Sequence, residues 1–324
     1  MKYTEFEIIS KYFQRNQKKN LNEIKKGIGD DSALIKIKNN NILAISTDTL
    51  VEGTHFFKNI TPKDLAYKTV AVNISDLAAM GAHPKWTTLS ITLPKPNNMW
   101  LEEFSNSFFN TLKQYNIELI GGDTNRGHLS ITLSIYGLIE EKNALLRSNA
   151  NIGDLIYVTG NLGESAAGLF LLQKKIFIKN LKIRNYLIKK HLHPIPRIYE
   201  GIKLKKIANA AIDISDGLIS DLNHILKNSQ CGANININKL PISTILKENF
   251  KRKYYLNWAL NIGEDYELCF TVSKKNVPKL DVVLKKFSIN CTCIGYITPI
   301  EQGFNLFYNK RKILFKKKGF NHFS

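Results

Sequence analysis

The chain has 324 residues, of which 44% are hydrophobic and 23% charged, and its formal net charge is +19. This length and composition predict a globular protein with room for two packed domains. No stretch approaches 18 consecutive apolar residues, and the N-terminus has no basic segment followed by an apolar one. We therefore expect a cytoplasmic protein that does not associate with membranes.

The positive charge raises nucleic acid as a partner. Lysines are spread along the whole chain, however, and only Lys316–Lys318 forms a compact run. This distribution indicates a background compositional bias rather than a binding surface. We expect no nucleic-acid partner, and a basic nucleic-acid-binding protein stays the weaker alternative.

The first polar motif is GIGDDSAL, which begins at Gly27. Glycines before Asp30 and Asp31, followed by alternating apolar residues, predict a turn that leads into a strand. Two adjacent carboxylates repel each other, so the pair favours either solvent or a bound cation.

The next motif is STDTLVEGTHF, which follows the apolar run 42–45. That run has the length of a buried strand, and we expect the strand to end at Ser46, Thr47 and Asp48. Hydroxyl and carboxylate oxygens at a strand end suit a hard cation such as Mg²⁺. A loop containing His55 would follow. The alternative is that these polar residues only begin a turn.

Residues 61–81 predict a helix, because Thr61 can cap it and Pro62 fits the first helical position. Its second half is almost entirely apolar or small, yet it contains Asp76, with Asn73 one turn earlier on the same side. A buried lone carboxylate costs several kcal/mol in effect unless it is paired or bound to metal. We interpret Asp76 as a metal ligand, and a hydrogen-bonded core aspartate is the alternative.

Residues 86–93 alternate as a strand and residues 99–115 read as an amphipathic helix. ELIGGDTNRG follows, and we expect a strand to end there with glycines before Asp123. Glycine allows backbone to come close to a ligand, so Gly122 and Asp123 are candidate ligand contacts. A plain glycine turn is the alternative. Residues 129–139 again predict a strand.

Residues 140–152 are polar and read as a linker that contains Arg147. We place the domain boundary here, giving domains 1–145 and 146–324. Arg147 is either solvated or faces phosphates.

The second half opens with a predicted strand at 154–159 and the glycine-rich segment GNLGESAAGL. A glycine turn that leads into a helix N-terminus is a natural phosphate site, although the ending of a P-loop is absent. His191 and His193 resemble a metal pair without a third ligand nearby, and we interpret them as structural.

AIDISDGLISDL gives the strongest pattern of the second half. An apolar strand leads to Asp213, Ser215 and Asp216, and an apolar helix follows on which we expect Asp221 at the surface. Further along, Glu264 precedes another strand rich in apolar residues.

The acidic candidates share a setting beside glycine, serine or an apolar run in an otherwise basic chain. They are Asp31, Asp48, Asp76, Asp123, Asp213 and Asp216. Carboxylates that converge from many segments are what several Mg²⁺ ions and a polyphosphate require. We therefore expect nucleotide-dependent phosphoryl transfer.

In this order, GIGDDSAL, STDTLVEGTHF, KTVAVNISDLAAMGAHP, GGDTNRG, VTGNLGESAAGL, DISDGLISDL and GEDYEL resemble the thiamine-monophosphate kinase family. The wider superfamily is that of aminoimidazole ribonucleotide synthetase and selenophosphate synthetase. The resemblance implies a two-domain α/β (α+β) fold. It implies an N-terminal domain for metal, ATP and dimerisation, and a C-terminal domain that completes the active-site cleft. The N-terminal domains of a homodimer would pair into a β-barrel.

The resemblance also implies a reaction: ATP phosphorylates thiamine monophosphate to thiamine diphosphate by direct, Mg²⁺-assisted in-line transfer. It assigns several Mg²⁺ ions to Asp31, Ser46, Thr47, Asp48, Asp76, Asp123, Asp213 and Asp216. It assigns ATP to Gly122, Asp123, Arg147 and Ser215, and the thiamine substrate to His55, Glu264 and Phe320. The family often has Trp or Tyr at the last of these positions.

A sister enzyme of the same fold with another acceptor, such as an aminoimidazole precursor, is the main alternative. It would share the ATP and metal residues. The discriminating residues are therefore His55, Glu264 and Phe320.

Overall fold

A computed structural model describes residues 11–12, 24–26, 34–35 and 41–313. Asp31 and Phe320, and the run Lys316–Lys318, lie outside the described residues.

The chain divides into two compact units. The first unit is Met1–Leu77 with Ala82–Lys142, and the second unit is Ala78–Gly81 with Asn143–Ser324. The first unit therefore ends three residues before the predicted boundary, and one turn of a helix groups with the second unit.

We number strands and helices in chain order. The short strands β1 and β2 (Ile24–Lys26 and Leu34–Ile35) pair antiparallel. The main sheet of the first unit contains β3 (Asn41–Val51), β4 (His83–Leu93), β5 (Glu118–Arg126) and β6 (Ser130–Glu140). Its order is β3-β6-β4-β5, with β4 and β5 parallel and the other pairs antiparallel. Among the described strands, β3 and β5 are the two edges of this sheet.

Helix α1 (Pro62–Met80) begins as its sequence predicts, because the Asp64 amide donates a 3.0 Å hydrogen bond to the Thr61 hydroxyl. Helix α2 (Asn98–Tyr115) is capped by the Asn97 side chain and ends at Asn116 in the left-handed region. Apolar side chains of both helices are fully buried, which anchors them to the unit's core. The predicted helices at 61–81 and 99–115 and strands at 86–93 and 129–139 are confirmed.

The prediction for β3 is wrong at its end. The strand does not stop at Asp48 but pairs with β6 in unbroken register as far as Val51↔Ser130. Thr49, Leu50 and Val51 continue the β-branched and apolar character of the run, so the ladder extends past the polar residues. The first polar cluster therefore lies within a strand. Asp123 likewise lies inside β5.

The second unit contains a seven-stranded sheet with the order β13-β12-β9-β11-β7-β10-β8. Its strands are β7 (Leu155–Thr159), β8 (Ala210–Asp213), β9 (Gly232–Asn236), β10 (Leu268–Val272), β11 (Cys291–Thr298), β12 (Phe304–Tyr308) and β13 (Arg311–Ile313). All five residues of β10 are buried, as expected for a strand covered on both faces.

Among the described residues, seven α-helices accompany this sheet. They are α3 (Glu164–Leu172), α4 (Leu181–Leu192), α5 (Ile198–Leu204), α6 (Leu218–Asn228), α7 (Thr244–Asn249), α8 (Arg252–Asn261) and α9 (Val277–Phe287). Aliphatic side chains of the sheet and of α3, α6 and α8 form the main core. Across the described ranges, no helix has the length and hydropathy needed to cross a bilayer.

Candidate active site

In the first unit, β3 and α1 bring together a cluster of polar side chains. The Ser46 hydroxyl donates a hydrogen bond to the Asp76 carboxylate, and the Asp48 amide donates a 3.1 Å hydrogen bond to Asn73 Oδ1. Ser46 and Asp48 are two apart on a strand, so both point toward the helix. Asn73 and Asp76 are three apart on the helix and share its facing side. The first unit thus gathers Ser46, Asp48 and Asp76.

The electrostatics of this cluster are unfavourable for two bare carboxylates. Burial, and then the nearby Asp76, raise the pKa of Asp48 to about 6. Both causes penalise the ionised form. A bound divalent cation would remove this penalty, and the donors available are hard oxygen atoms, so the cluster fits Mg²⁺.

Thr47 lies on the opposite face of the same sheet. Its hydroxyl is 2.8 Å from the Ser134 hydroxyl, and the Thr49 and Thr132 hydroxyls are also 2.8 Å apart. These cross-strand pairs form a line of hydroxyl groups. The Thr47 side chain therefore lies on the other face of the sheet from the side chains of Ser46 and Asp48.

Asp123 is separated from the Asp48 cluster within the first unit. The register Asp48↔Leu133↔Leu89↔Gly122 places the two aspartates on opposite edge strands, about 14 Å apart at the usual strand spacing. By the alternation of the strand, Asp123 faces the side of Thr49 rather than that of Asp48. Its carboxylate accepts hydrogen bonds from the Thr124 amide and the Asn125 side chain.

Gly122 has a packing reason to be glycine. A Cβ atom there would lie 1.9 Å from the Leu89 carbonyl oxygen, so any side chain would push β5 away from β4. Packing between β4 and β5 therefore explains this glycine without the close approach to a ligand that the sequence predicts.

His55 lies in the turn after β3 and is held by the strand end. Its Nδ1 accepts a 3.0 Å hydrogen bond from the Val51 amide, and its own amide donates to the Val51 carbonyl. The Val51 contact fixes the ring and makes Nδ1 the acceptor nitrogen.

In the second unit, the end of β8 and the start of α6 carry the second acidic cluster. Asp213 is the last residue of β8 and is buried, while Ser215 and Asp216 follow in the turn. Asp221, in the first turn of α6, accepts hydrogen bonds from the Asp216 and Gly217 amides at 3.0 and 3.1 Å. It therefore caps its own helix.

The prediction that Asp221 lies on the helix surface is wrong. Its side chain is buried, and burial together with Asp213 and Asp216 raises its pKa to about 8. Apolar residues surround it in sequence, but an acidic residue in the first helical turn is a recognised capping signal. That signal could have identified it.

Glu264 is placed by a tightly fixed loop beside Ser215. Glu264 and Tyr266 both have positive φ angles, of 56° and 51°. Their amides donate to the Ser215 and Ile214 carbonyls at 2.8 and 2.9 Å. A Cβ at Gly263 would lie 2.2 Å from the Ser215 carbonyl, so the loop packs directly against the turn after β8. Two of the predicted ligand residues, Ser215 and Glu264, are thereby neighbours.

The predicted phosphate site at the start of α3 is occupied by a protein side chain. The Gly163 and Ser165 amides donate to the Asp265 carboxylate at 2.8 and 3.4 Å. Burial raises the pKa of Asp265 well above its usual range. Because these N–H groups already bind a carboxylate, the glycine-rich turn is explained as a capped helix start.

His191 is buried at the end of α4, and its Nδ1 lies 3.1 Å from a Glu264 oxygen. The sequence offered only the HLHP pattern, which gave no sign of this contact. Arg147, in contrast, is exposed in a 3₁₀ turn, where its carbonyl accepts a hydrogen bond from the Ser229 hydroxyl.

Neither cluster is a complete metal cage by itself. Among the residues with described positions, no group of three or more His, Cys, Asp and Glu side chains could hold a metal ion. This agrees with the way Mg²⁺ is commonly bound in nucleotide enzymes, through one or two carboxylates, water and substrate phosphates.

Comparisons with known proteins place this geometry in a family. The AIR synthase related protein N-terminal domain matches residues 29–139, and the corresponding C-terminal domain matches residues 151–304. The chain is 77% identical to the thiamine-monophosphate kinase of Buchnera aphidicola subsp. Acyrthosiphon pisum over all of both chains. It is 51% identical to that of Escherichia coli, over 99% of this chain and 98% of the relative.

The chain belongs to the thiamine-monophosphate kinase family. The resemblance that the sequence motifs indicated is confirmed, and so is the mixed α/β, two-domain fold of AIR synthase related proteins.

Solved structures of thiamine-monophosphate kinases share this fold. The crystal structure of the Stenotrophomonas maltophilia enzyme is 37% identical with a TM-score of 0.82, covering 94% of this chain and 95% of that one. A structure described as AaThiL complexed with AMPPCP and TMP is 33% identical with a TM-score of 0.77, covering 92% of each chain.

Proposed function

We propose that this chain transfers the γ-phosphoryl group of ATP to thiamine monophosphate, forming thiamine diphosphate. The observation that carries the proposal is the Ser46–Asp48–Asp76 cluster in a member of this kinase family. The carboxylates of Asp48 and Asp76 lie close together although burial, with this proximity, raises the pKa of Asp48. A divalent cation bound between them best explains this arrangement. The AaThiL complex with AMPPCP and TMP supports the same pair of substrates for this chain.

The predicted site residues are proposed to divide into three groups. Several Mg²⁺ ions would be held by Asp31, Ser46, Thr47, Asp48, Asp76, Asp123, Asp213 and Asp216. ATP would contact Gly122, Asp123, Arg147 and Ser215, and the thiamine substrate would contact His55, Glu264 and Phe320.

Phosphoryl transfer to a phosphate acceptor explains why the proposed site contains metal-binding carboxylates and no general base. The acceptor is a phosphate oxygen whose second pKa is about 6, so it is largely ionised at neutral pH. The difficulty is to bring two anions together, and bound Mg²⁺ supplies the charge that offsets their repulsion. The chain's residues orient the two phosphates for in-line attack without a phosphoenzyme. Recovery of a phosphorylated aspartate or histidine after exposure to ATP would contradict this route.

The direct test is an assay of the purified full chain with ATP, Mg²⁺ and thiamine monophosphate. We expect thiamine diphosphate to form with one ADP per product, and EDTA to abolish it. An aminoimidazole precursor offered in place of thiamine monophosphate tests the sister-enzyme alternative and should give no ADP. Product formation no higher than that of the Asp48→Asn variant would overturn the proposal.

We also propose that the active form is a homodimer in which two first-unit sheets close into a β-barrel. Strands β3 and β5 are both edges of the described sheet, and unpaired edges invite pairing with a second copy. Ile42 and Ile45 on β3 are 41% and 59% exposed, which is costly unless they are covered. Pairing β3 with β5 of a second copy would also bring the second copy's Asp123 beside Thr47.

A further inference from the structure

Helices α3 and α4 approach each other unusually closely at one glycine. A Cβ on Gly168 would lie 2.1 Å from the Leu187 carbonyl oxygen and 3.0 Å from the His191 Cβ. Only glycine permits this separation. The close packing carries His191, one turn beyond Leu187, into the protein next to Ser165.

His191 then meets two polar groups through one ring nitrogen. Its Nδ1 lies 3.2 Å from the Ser165 hydroxyl and 3.1 Å from Glu264 Oε2, and the residue is only 3% exposed. An ionised carboxylate can only accept hydrogen bonds, so Nδ1 carries the proton in this contact. The histidine therefore donates to Glu264 from a buried and rigid position.

Glu264 combines a fixed backbone with a partly exposed side chain. Its φ of 56° is in the left-handed region, and its amide is bonded to the Ser215 carbonyl. Its side chain is 27% exposed and so remains accessible to a ligand. A hydrogen bond from His191 to Oε2 restricts the rotamers of this carboxylate.

We propose that His191 is a positioning residue that holds the Glu264 carboxylate in the orientation that binds the thiamine substrate. The inference rests on the proposed function, because it takes Glu264 as a substrate contact. His191 itself acts only through Glu264. Ser165 places its hydroxyl within hydrogen-bonding distance of the same Nδ1. Gly168 allows helices α3 and α4 to come into contact.

Two isosteric substitutions separate this role from simple packing. The amide nitrogen of Asn can take the place of Nδ1, whereas that of Gln takes the place of Nε2. We expect His191→Asn to keep the KM for thiamine monophosphate within about 3-fold of wild type. We expect His191→Gln to raise it about 10-fold, since a hydrogen bond to a charged group is lost, with an unchanged KM for ATP. Equal KM values for the Asn and Gln variants, or a parallel rise in the KM for ATP, would overturn the assignment.

A double-mutant cycle tests whether His191 acts through Glu264. In the Glu264→Gln background, His191→Gln should add less than about 2-fold to the KM, because the partner it positions is already altered. Multiplicative effects of the two changes would contradict the proposal.

A spectroscopic comparison keeps the test valid if His191 variants do not fold, and it separates this inference from the proposed function. In protein with ¹⁵N-labelled histidine, Glu264→Gln should shift the Nδ1 resonance of His191 and leave that of His193 in place. An unchanged His191 resonance would disprove the contact. If the wild type forms no thiamine diphosphate, the proposed function fails while this measurement still decides whether His191 holds Glu264.

Discussion

The Ser46 hydroxyl donates a hydrogen bond to the carboxylate of Asp76, a residue thirty positions further along the chain. This contact joins an edge strand to the face of helix α1. It also places Asp76 where its charge adds to the effect of burial, and the two together raise the pKa of Asp48. These three side chains support the proposed divalent-cation site more directly than any single motif does.

Removing charge from this cluster should stop turnover without unfolding the protein. We expect Asp48→Asn and Asp76→Asn each to lower kcat by at least roughly 100-fold, because electrostatic stabilisation of phosphoryl transfer is lost. Thermal denaturation should show a stability equal to or above that of the wild type, since a repulsive pair is removed. Asp64→Asn, at the start of the same helix, serves as the control and should retain activity. Near-normal rates for both cluster variants at saturating Mg²⁺ would exclude the metal assignment.

The proposed barrel would bring Asp123 of one copy beside Thr47 of the other, which leads to a prediction about mixed dimers. If each site takes Thr47 from one copy and Asp123 from the other, a dimer of one Thr47→Val chain and one Asp123→Asn chain has one intact site. Differently tagged chains purified as the mixed dimer should then recover about half the wild-type activity, although either homodimer has little activity. If Thr47 and Asp123 act within one chain, the mixed dimer will be as inactive as its parents. A monomeric mass by light scattering would contradict the barrel itself.

Asp221 should make the stability of the metal-free protein depend on pH. Its pKa of about 8 in the folded state lies far above the usual value of 3.8, so between these two pH values the folded protein holds a proton that the unfolded chain releases. The stability of the protein therefore falls progressively as pH rises from 3.8 to about 8 and stays at its lower level above that. Asn at this position still accepts from the two amides but cannot ionise.

We expect Asp221→Asn to raise the Tm by several degrees at pH 8.5 in EDTA, with a smaller gain at pH 5. Glu248→Gln, an exposed change on helix α7, is the control and should leave the pH profile unaltered. A difference between Asp221→Asn and wild type that does not vary with pH would show that Asp221 is ionised throughout.

Phe320 provides a prediction from the family resemblance alone, because it lies outside the described residues. Its ring would stack on the thiamine substrate, so Phe320→Ala should raise the KM for thiamine monophosphate more than that for ATP. Phe323→Ala is the matched control and should change neither constant. Equal effects of Phe320→Ala on both substrates would mean that this ring only packs.

Sequence reasoning succeeded where the information was local. The cap of α1 depends on Thr61, Pro62 and Asp64, and helical spacing places Asn73 and Asp76 on the same side of the helix. It failed where a distant residue decides the outcome. The end of β3 is set by its ladder with β6, and the amides at the start of α3 are bound by Asp265, about a hundred residues away.

The same separation in sequence explains why the HLHP pattern indicates only a structural role for His191. Its contact with Glu264 requires the close approach of helices α3 and α4 at Gly168. The sequence around HLHP does not predict that helix–helix contact. The separation of Asp123 from Asp48 depends in turn on strand order, which a motif does not contain.

Glu264 and Asp265 stand next to each other in the chain, yet their carboxylates have unrelated tasks. Asp265 reaches the amides that open helix α3, while Glu264 meets His191 and stays partly exposed. The shorter side chain of Asp265 fits the interior, and the longer side chain of Glu264 extends outward. The order of the two residues therefore determines which carboxylate caps the helix. Exchanging the two residues would conserve composition and charge. It should leave helix α3 without its cap, and the aspartate at position 264 would be too short to contact both His191 and the substrate.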